Sequence, residues 1–243
     1  DVTRVFTADT RIVPQARTLN KIHFDEKLEM AGAGSKVLSL PYVEFARNHD
    51  VQLHVRSAFT WEQGTWVSNE EPSMEDPVIS GVVTDMTEAK VTILGVPDRP
   101  GISAALFEPL ADANVNVDMI VQNTSTDGTT DISFTMPMAD MAEAEDLVKK
   151  VADDIGAAGV THDNEIAKVS LVGAGMKSSP GIAAKMFRVL ADEGVNIEMI
   201  STSTIRVSVV TSATDMERAA RSLHTAFDLD SGADYSAPLP ERR

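Results

Sequence analysis

The most regular hydrophobic pattern in the chain is an α/β pattern that occurs twice. Residues 100–120 align with residues 180–200 at an offset of 80, and 12 of the 21 positions are identical. In each copy an apolar strand leads into a Pro-Gly turn, and the next helix carries apolar residues at helical spacing on one face. Two strands, a second helix and, in the first copy, a closing strand follow. The repeat therefore predicts two βαββαβ modules of the ferredoxin-like type.

The two copies differ in how they end. The first closes with a strand at residues 159–162, whereas only a polar segment follows Phe227 in the second. An unassigned apolar stretch, 78–83, precedes the first copy, and the economical interpretation is that it completes the second module. We therefore expect an α+β protein, an α/β sandwich of interlocked tandem modules. The first module is assigned to 89–164, the second to 78–84 plus 167–228, and a flexible tail to 229–243.

The residues before the repeat form a separate block, 1–66. Residues 25–30 have the pattern of a helix, and 51–59 alternate apolar and polar positions with the period of a half-buried strand. The block has no complete fold signature of its own. Gly, Ser, Asn, Glu and Pro dominate the stretch that follows, and residues 67–77 are assigned to a linker.

Composition excludes several classes of function. The 243 residues carry a formal net charge of −16, which opposes binding to phosphate backbones and to anionic lipid surfaces. There is no cysteine and no apolar run long enough for a membrane span, so a cytoplasmic protein is expected. The five histidines lack metal-ligand spacing. Residues 32–36 (GAGSK) superficially resemble a phosphate loop, but their glycine spacing favours a helix-packing turn.

The duplicated Pro-Gly turns are the more informative candidates for chemistry. Gly101 and Gly181 each follow a strand and open a helix, where free backbone N–H groups and the helix dipole favour an anion. Asp98 beside the first turn is able to pair with an ammonium group. A zwitterionic amino acid fits this set, although a plain tight turn remains the alternative. Three amides lie on the facing edge, namely Asn116, Gln122 and Asn196.

These features resemble a known family. Tandem βαββαβ units with a strand–x-Pro-Gly–helix step and an Asn at the second strand are similar to a pair of ACT domains. Further stretches resemble aspartokinase of the lysine- and threonine-regulated kind, and the similarity extends to about Leu229. The matching stretches are residues 5–14 (VFTADTRIVP), 34–38 (GSKVL), 55–57 (VRS), 122–123 (QN), 127–132 (DGTTDI) and 200–203 (ISTS).

The resemblance implies ATP-dependent phosphorylation of L-aspartate to 4-phospho-L-aspartate, with Mg²⁺. Residues 1–66 would then be the C-terminal part of an amino-acid-kinase α/β domain. Since the family's Gly-rich first strand and aspartate-binding residues precede the part matched here, catalysis is expected to need that first half, and no catalytic residue is assigned. The residues matching the family's ATP-binding positions are Asp1, Phe6, Arg11 and Lys36.

The resemblance also implies feedback regulation by threonine or lysine bound at interfaces of the ACT domains, with assembly into homo-oligomers or with a catalytic subunit. The alternative is a free-standing amino-acid sensor without catalysis, acting on a partner chain. One effector site is assigned to Asp98, Ser103, Gln122, Asn196 and Ile197, and a related site to Asp118, Met176, Ser179, Ile182 and Ser203.

Overall fold

The computed structural model describes residues 4–70, 77–123 and 128–231. The chain forms two compact units. The continuous unit is Met86–Ala167, and the split unit combines the residues up to Asp85 with those from Lys168 onward. Residues 71–76 of the expected linker and 232–243 of the expected tail lie outside the described residues. Within the described ranges, every helix is too short or too polar to cross a bilayer.

The N-terminal part of the split unit is a small sheet with two helices. Strand β3 lies in the middle, parallel to β1 and antiparallel to β2. The first helix starts with a capping box, in which the His23 side chain accepts from the backbone and Glu26 accepts from the His23 N–H. The elements are β1 (Lys21–His23), α1 (Phe24–Gly32), α2 (Leu40–Asn48), β2 (Leu53–Val55) and β3 (Thr65–Ser68).

Two expectations for this part need correction. The strand expected at 51–59 is confined to β2, and the residues after it turn away to reach Gly64, whose backbone approaches Val55 closely. The linker expected from residue 67 begins too early, because Val67 and Ser68 are buried in β3. A strand of only four residues is too short for its alternation to stand out in the sequence.

Strand β4 (Gly81–Asp85) follows, and the chain then enters the continuous unit. This unit is a four-stranded antiparallel sheet in the order β6-β7-β5-β8, with its two helices packed on a shared apolar core. The core includes Ile93, Leu106, Phe134 and Val148, all buried. The elements are β5 (Glu88–Pro97), α3 (Ile102–Asp112), β6 (Ile120–Gln122), β7 (Thr129–Pro137), α4 (Met141–Ile155) and β8 (Gly159–Asp163).

The second module has the same architecture but takes one strand from upstream. Its sheet has the order β10-β11-β9-β4, and β4 pairs antiparallel with β9 from Gly81 opposite Val172 to Asp85 opposite Lys168. This confirms the crossover expected from the sequence, with the strand two to three residues later than the expected 78–83. The remaining elements are β9 (Ile166–Val172), α5 (Ile182–Asp192), β10 (Met199–Thr202), β11 (Arg206–Ser212) and α6 (Met216–Ala226).

The N-terminal part and the second module share one core within the split unit. Val5 and Met30 belong to the same buried cluster as Val83 of β4 and Val172 of β9. Gly81 is required here, because a Cβ at this position would lie 2.7 Å from the carbonyl oxygen of Thr7. The segment around Val5 and the helix α1 thus pack directly on the second module.

The C-terminal end of the ordered fold lies slightly beyond the expected boundary of 228. Leu229 is buried, and its backbone N–H donates to the carbonyl of His224 at 3.1 Å. The start of the tail, expected at residue 229, is therefore placed too early, because the Leu229 side chain is buried in the fold. Ser231 also bonds back to the carbonyl of Asp228.

Candidate functional site

Both Pro-Gly turns adopt the same left-handed conformation at the start of a helix. Gly101 caps α3 with φ +88° and Gly181 caps α5 with φ +95°, and neither helix has a side-chain N-cap. A Cβ built at either glycine meets nothing within 4 Å, so the space over both turns is open. At such a helix start the first-turn N–H groups lack partners within the helix and favour a small anion, although in α3 the Ile102 N–H donates to the Arg99 carbonyl at 3.3 Å.

In the continuous unit, the structure brings together two of the expected effector residues. Ser103, in the first turn of α3, donates its hydroxyl to the Gln122 side-chain oxygen at 3.2 Å. Asp98 is exposed just before the Pro-Gly turn, and its N–H donates to Gly128. Asn116 and Asp118 are exposed in the segment that leads into β6, where the Asp118 N–H donates to Thr135.

In the split unit, the expected effector residues fall on three neighbouring segments of the second module. Met176 lies in the 3-10 turn Ala174–Ser178, and Ser179 ends that turn. Gly181 and Ile182 open α5. The remaining residues are on the β10 side of the module: Asn196 and Ile197 precede β10, and Ser203 follows it in the turn to β11.

Each expected site also draws on the other unit. The first site is expected to combine Asn196 and Ile197 of the split unit with Asp98 of the continuous unit, and the second to combine Ser203 with Asp118. These groupings across the units stay predictions.

Two glutamates that the sequence reasoning missed connect α1 to the second module. Glu29 accepts a hydrogen bond from the Ser203 hydroxyl at 2.9 Å, and its other oxygen pairs with the Arg206 guanidinium at 3.2 Å. Glu26 is buried and accepts from the Ala174 N–H at 2.8 Å and from the Ser80 hydroxyl. Their spacing of three places both on one face of a helix. A glutamate on a helix is typically solvated, so the sequence carries no signal for partners 148 and 174 residues away.

The expected nucleotide-binding residues lie at the start of the split unit. Arg11 is exposed, and its guanidinium binds both carboxylate oxygens of Asp9, at 3.0 and 2.6 Å. This hydrogen-bonded guanidinium is the main reason that the pKa of Asp9 lies below its ordinary value, and the charge of Lys36 acts in the same direction. Phe6 is half-buried and forms an isolated antiparallel β-bridge with Thr18. Asp1 lies outside the described residues.

The second module holds the backbone of this segment at two points. The carbonyl oxygen of Thr7 accepts from the Val82 N–H of β4 at 2.7 Å, and the carbonyl of Ile12 accepts from the Arg221 guanidinium of α6 at 2.7 Å. The Thr7 hydroxyl also lies 2.8 Å from Nε2 of the buried His224. Burial lowers the pKa of His224, so the ring is neutral near pH 7.

A separate open cavity of about 470 Å³ lies along one loop of the split unit. It is lined by residues 56–61 alone, and Phe59 and Trp61 in this loop are exposed. It contains none of the residues expected at a site.

Comparison with known proteins places this geometry in a family. Models of the ACT domain match residues 90–156 and 169–227, which are the two modules. The aspartokinase of Pseudomonas aeruginosa is 51% identical over 235 residues, covering 96% of this chain and 57% of that protein. This chain therefore spans little more than half the length of the curated relatives it matches.

Solved structures give the same result. The ligand-free regulatory subunit of aspartate kinase from Thermus thermophilus is 39% identical, with a TM-score of 0.59, and the match covers 62% of this chain and 99% of that one. Aspartokinase III of E. coli in complex with lysine and aspartate has a TM-score of 0.73 at 25% identity, over 93% of this chain and 50% of that one. Two ACT domains and a full-length match to an aspartokinase regulatory subunit lead to one assignment: this chain belongs to the aspartokinase family and carries its regulatory ACT region.

Proposed function

We propose that this chain is the feedback-regulatory part of an aspartokinase and binds threonine or lysine. The observation that carries the proposal is the pair of glycine-capped helix starts, open above Gly101 and Gly181, within two ACT domains. The free N–H groups there suit the carboxylate of an amino acid, and Asp98 suits its ammonium group. The lysine complex of the E. coli relative supports an amino-acid ligand of this class.

The regulated reaction is the ATP-dependent, Mg²⁺-assisted conversion of L-aspartate to 4-phospho-L-aspartate in the cytoplasm. When bound, ATP supplies the transferred phosphoryl group. Arg11 and Lys36 suit its phosphates, because both are exposed cations and both lie close enough to Asp9 to lower its pKa, which places them near one another. Phe6 and Asp1 complete the proposed nucleotide-binding set. Effector binding acts by favouring one arrangement of the protein, and it does so only as far as its affinity differs between arrangements.

A second candidate function is a separate regulatory subunit that assembles with a catalytic chain. The match to the Thermus thermophilus regulatory subunit, which covers 99% of that chain, favours it. Both candidates share effector binding and assembly through the ACT domains, and they differ in whether the catalytic part lies on the same polypeptide.

Calorimetric titration of this chain with threonine and with lysine, at up to millimolar concentration, tests the proposal. We expect binding heat with at least one of them and a rise in Tm. Gln122→Leu removes the partner of Ser103 and is expected to weaken binding about tenfold, by the loss of polar contacts in the site. Gln52→Leu, at an exposed position outside both modules, serves as the matched control. Absence of binding with both amino acids would refute the proposal.

An aspartyl-hydroxamate assay separates the two candidate functions. Turnover by this chain alone would show that it is catalytic as it stands. If this chain alone is inactive but makes a separately added catalytic subunit sensitive to threonine or lysine, the regulatory-subunit candidate is supported.

A further inference from the structure

We propose that Glu26 of α1 is the positioning residue of the amino-acid site at Gly181, because its carboxylate fixes the start of the loop that leads to this helix. The inference rests on the proposed function, since it concerns how the same site is built and regulated. It gives α1, an element outside the two ACT domains, control over effector binding at one of the two sites.

The first module holds the corresponding loop with a carboxylate of its own. The Gly95 N–H, in the bulge of β5 that precedes the loop, donates to the Asp131 carboxylate of β7 at 2.8 Å. Strand β7 lies next to β5, so the loop that leads to Gly101 is fixed from within the module. Because the acceptor is a carboxylate, this hydrogen bond is stronger than one to a neutral acceptor.

The second module has an arginine at the position of this aspartate. The register of β6 with β7 and of β10 with β11 aligns Arg206 with Asp131. A guanidinium has only donors, so Arg206 is unable to accept from the loop. Glu26 takes over that role: Ala174 follows Gly173, the equivalent of Gly95, and its N–H donates to the Glu26 carboxylate at 2.8 Å.

Three donors hold the Glu26 carboxylate in one position. Glu26 is buried, and one of its oxygens accepts from the His23 N–H at 3.1 Å. The other oxygen accepts from the Ser80 hydroxyl as well as from the Ala174 N–H. All three partners are neutral donors, so a displaced Glu26 would leave a buried charge short of hydrogen bonds.

The start of the loop also packs tightly against the segment before β4. A Cβ at Gly173 would lie 2.1 Å from the carbonyl oxygen of Val78, and one at Gly175 would lie 2.6 Å from the Val78 Cα. From this packed start, the turn Ala174–Ser178 continues to Gly181 at the opening of α5. The position of the helix start therefore depends on an anchor that lies outside its own module.

This arrangement couples α1 to the site at Gly181 in both directions. A shift of α1 that carries Glu26 away frees the start of the loop and weakens effector binding there. An effector bound at Gly181 in turn stabilises the position of α1 by the same free energy, since coupling between two sites is reciprocal. The site at Gly101 is independent of α1, because Asp131 holds its loop.

The test follows binding at each glycine turn by hydrogen–deuterium exchange of residues 99–106 and 179–186, with threonine and lysine as ligands. Glu26→Gln keeps the shape and removes the charge, and it is expected to weaken binding at Gly181 about tenfold and to leave binding at Gly101 unchanged. Asp131→Asn is the matched variant with the opposite expectation. Titration well below the unfolding transition separates affinity from stability, because a purely structural glutamate would lower Tm and leave the affinity of the folded chain unchanged.

The wild-type chain supplies a second measurement that needs no variant. Threonine or lysine is expected to slow exchange in α1, residues 24–32, at the ligand concentration that protects residues 179–186. Protection at Gly181 without protection of α1, equal affinity of Glu26→Gln and wild-type chains there, or an equal loss at both turns would overturn the role of Glu26 and leave the proposed function standing. Binding at Gly101 alone would do the same. No binding at either turn would overturn the proposed function as well.

Discussion

Lys27 is a charged residue in a place that suits an apolar one. Its side chain is completely buried in α1, and within the described part of the chain its Nζ atom has no hydrogen-bond partner. Burial alone lowers its pKa to about 8. At pH 7 the ammonium is therefore charged in both the folded and the unfolded chain, and the folded state bears the full cost of desolvating it.

Lys27→Met should stabilise the protein at pH 7 by about 1–3 kcal/mol, because it keeps the unbranched shape and removes the buried charge. As pH rises from about 8 to 10.5, the folded lysine loses its proton first and the difference should shrink. Urea unfolding at several pH values measures this. Lys150→Met, at an exposed position, should show no such gain. A less stable Lys27→Met variant would contradict the prediction.

His224 should make the free energy of unfolding depend on pH on the acidic side of neutrality, whereas Lys27 acts on the alkaline side. Burial, with a smaller contribution from Arg17, lowers its pKa below the ordinary 6.5, while Asp230 opposes the shift. The unfolded chain then takes up the proton first as pH falls below 6.5, so this contribution is present above 6.5 and is lost below it. His224→Gln should reduce the slope of unfolding free energy between pH 7 and 5.5, and His49→Gln, at an exposed position, should not. Equal slopes for all three proteins would refute this.

The N-cap glycines of α3 and α5 show how the backbone conformation of one residue determines where a helix starts. Gly181→Ala should destabilise the protein by about 1 kcal/mol, because an L side chain at φ +95° is strained although its Cβ has open space. Gly32→Ala is the matched control: Gly32 is helical, and an added Cβ also meets nothing within 4 Å. That change should be neutral or stabilise by up to about 1 kcal/mol. Thermal unfolding measures both, and equal effects would contradict the conformational argument.

Elements with a long or repeated pattern were predictable from the sequence, and short ones were not. Helices α3 and α5 were visible because apolar residues recur on one face after the same Pro-Gly step in two copies. The pairing of β4 with β9 followed from counting strands, since one module lacked a strand and an extra one stood upstream. Strands β1 and β2 have three residues each, which is too few to show a period.

The contacts at the candidate sites also differ in whether the sequence could reveal them. The glycine turns and the Ser103–Gln122 pair lie on segments that the repeat itself marks. The contact between Glu29 and Ser203 joins residues 174 positions apart, and only the folded chain brings them together. Sequence separation of this size carries no local signal, whereas the spacing of three between Glu26 and Glu29 marks only a shared helix face.

At the scale of the molecule, the two modules differ in how self-sufficient they are. The continuous unit contains all four strands of its sheet and an apolar core of its own. The second module obtains its fourth strand, β4, from the segment before the first module. Without β4, one edge of β9 loses its backbone partners, and buried Ile79, Val82 and Val83 are removed.

Three fragments of the chain test this difference. Residues 86–167 should unfold cooperatively in urea, because their sheet and core are complete. Residues 164–231 should lack a cooperative transition or aggregate, since the exposed edge of β9 is a template for pairing with other chains. Residues 77–231 restore β4 and should regain the transition of the second module, recorded by circular dichroism. Cooperative unfolding of 164–231 as a monomer would show that the second module does not depend on the crossover strand.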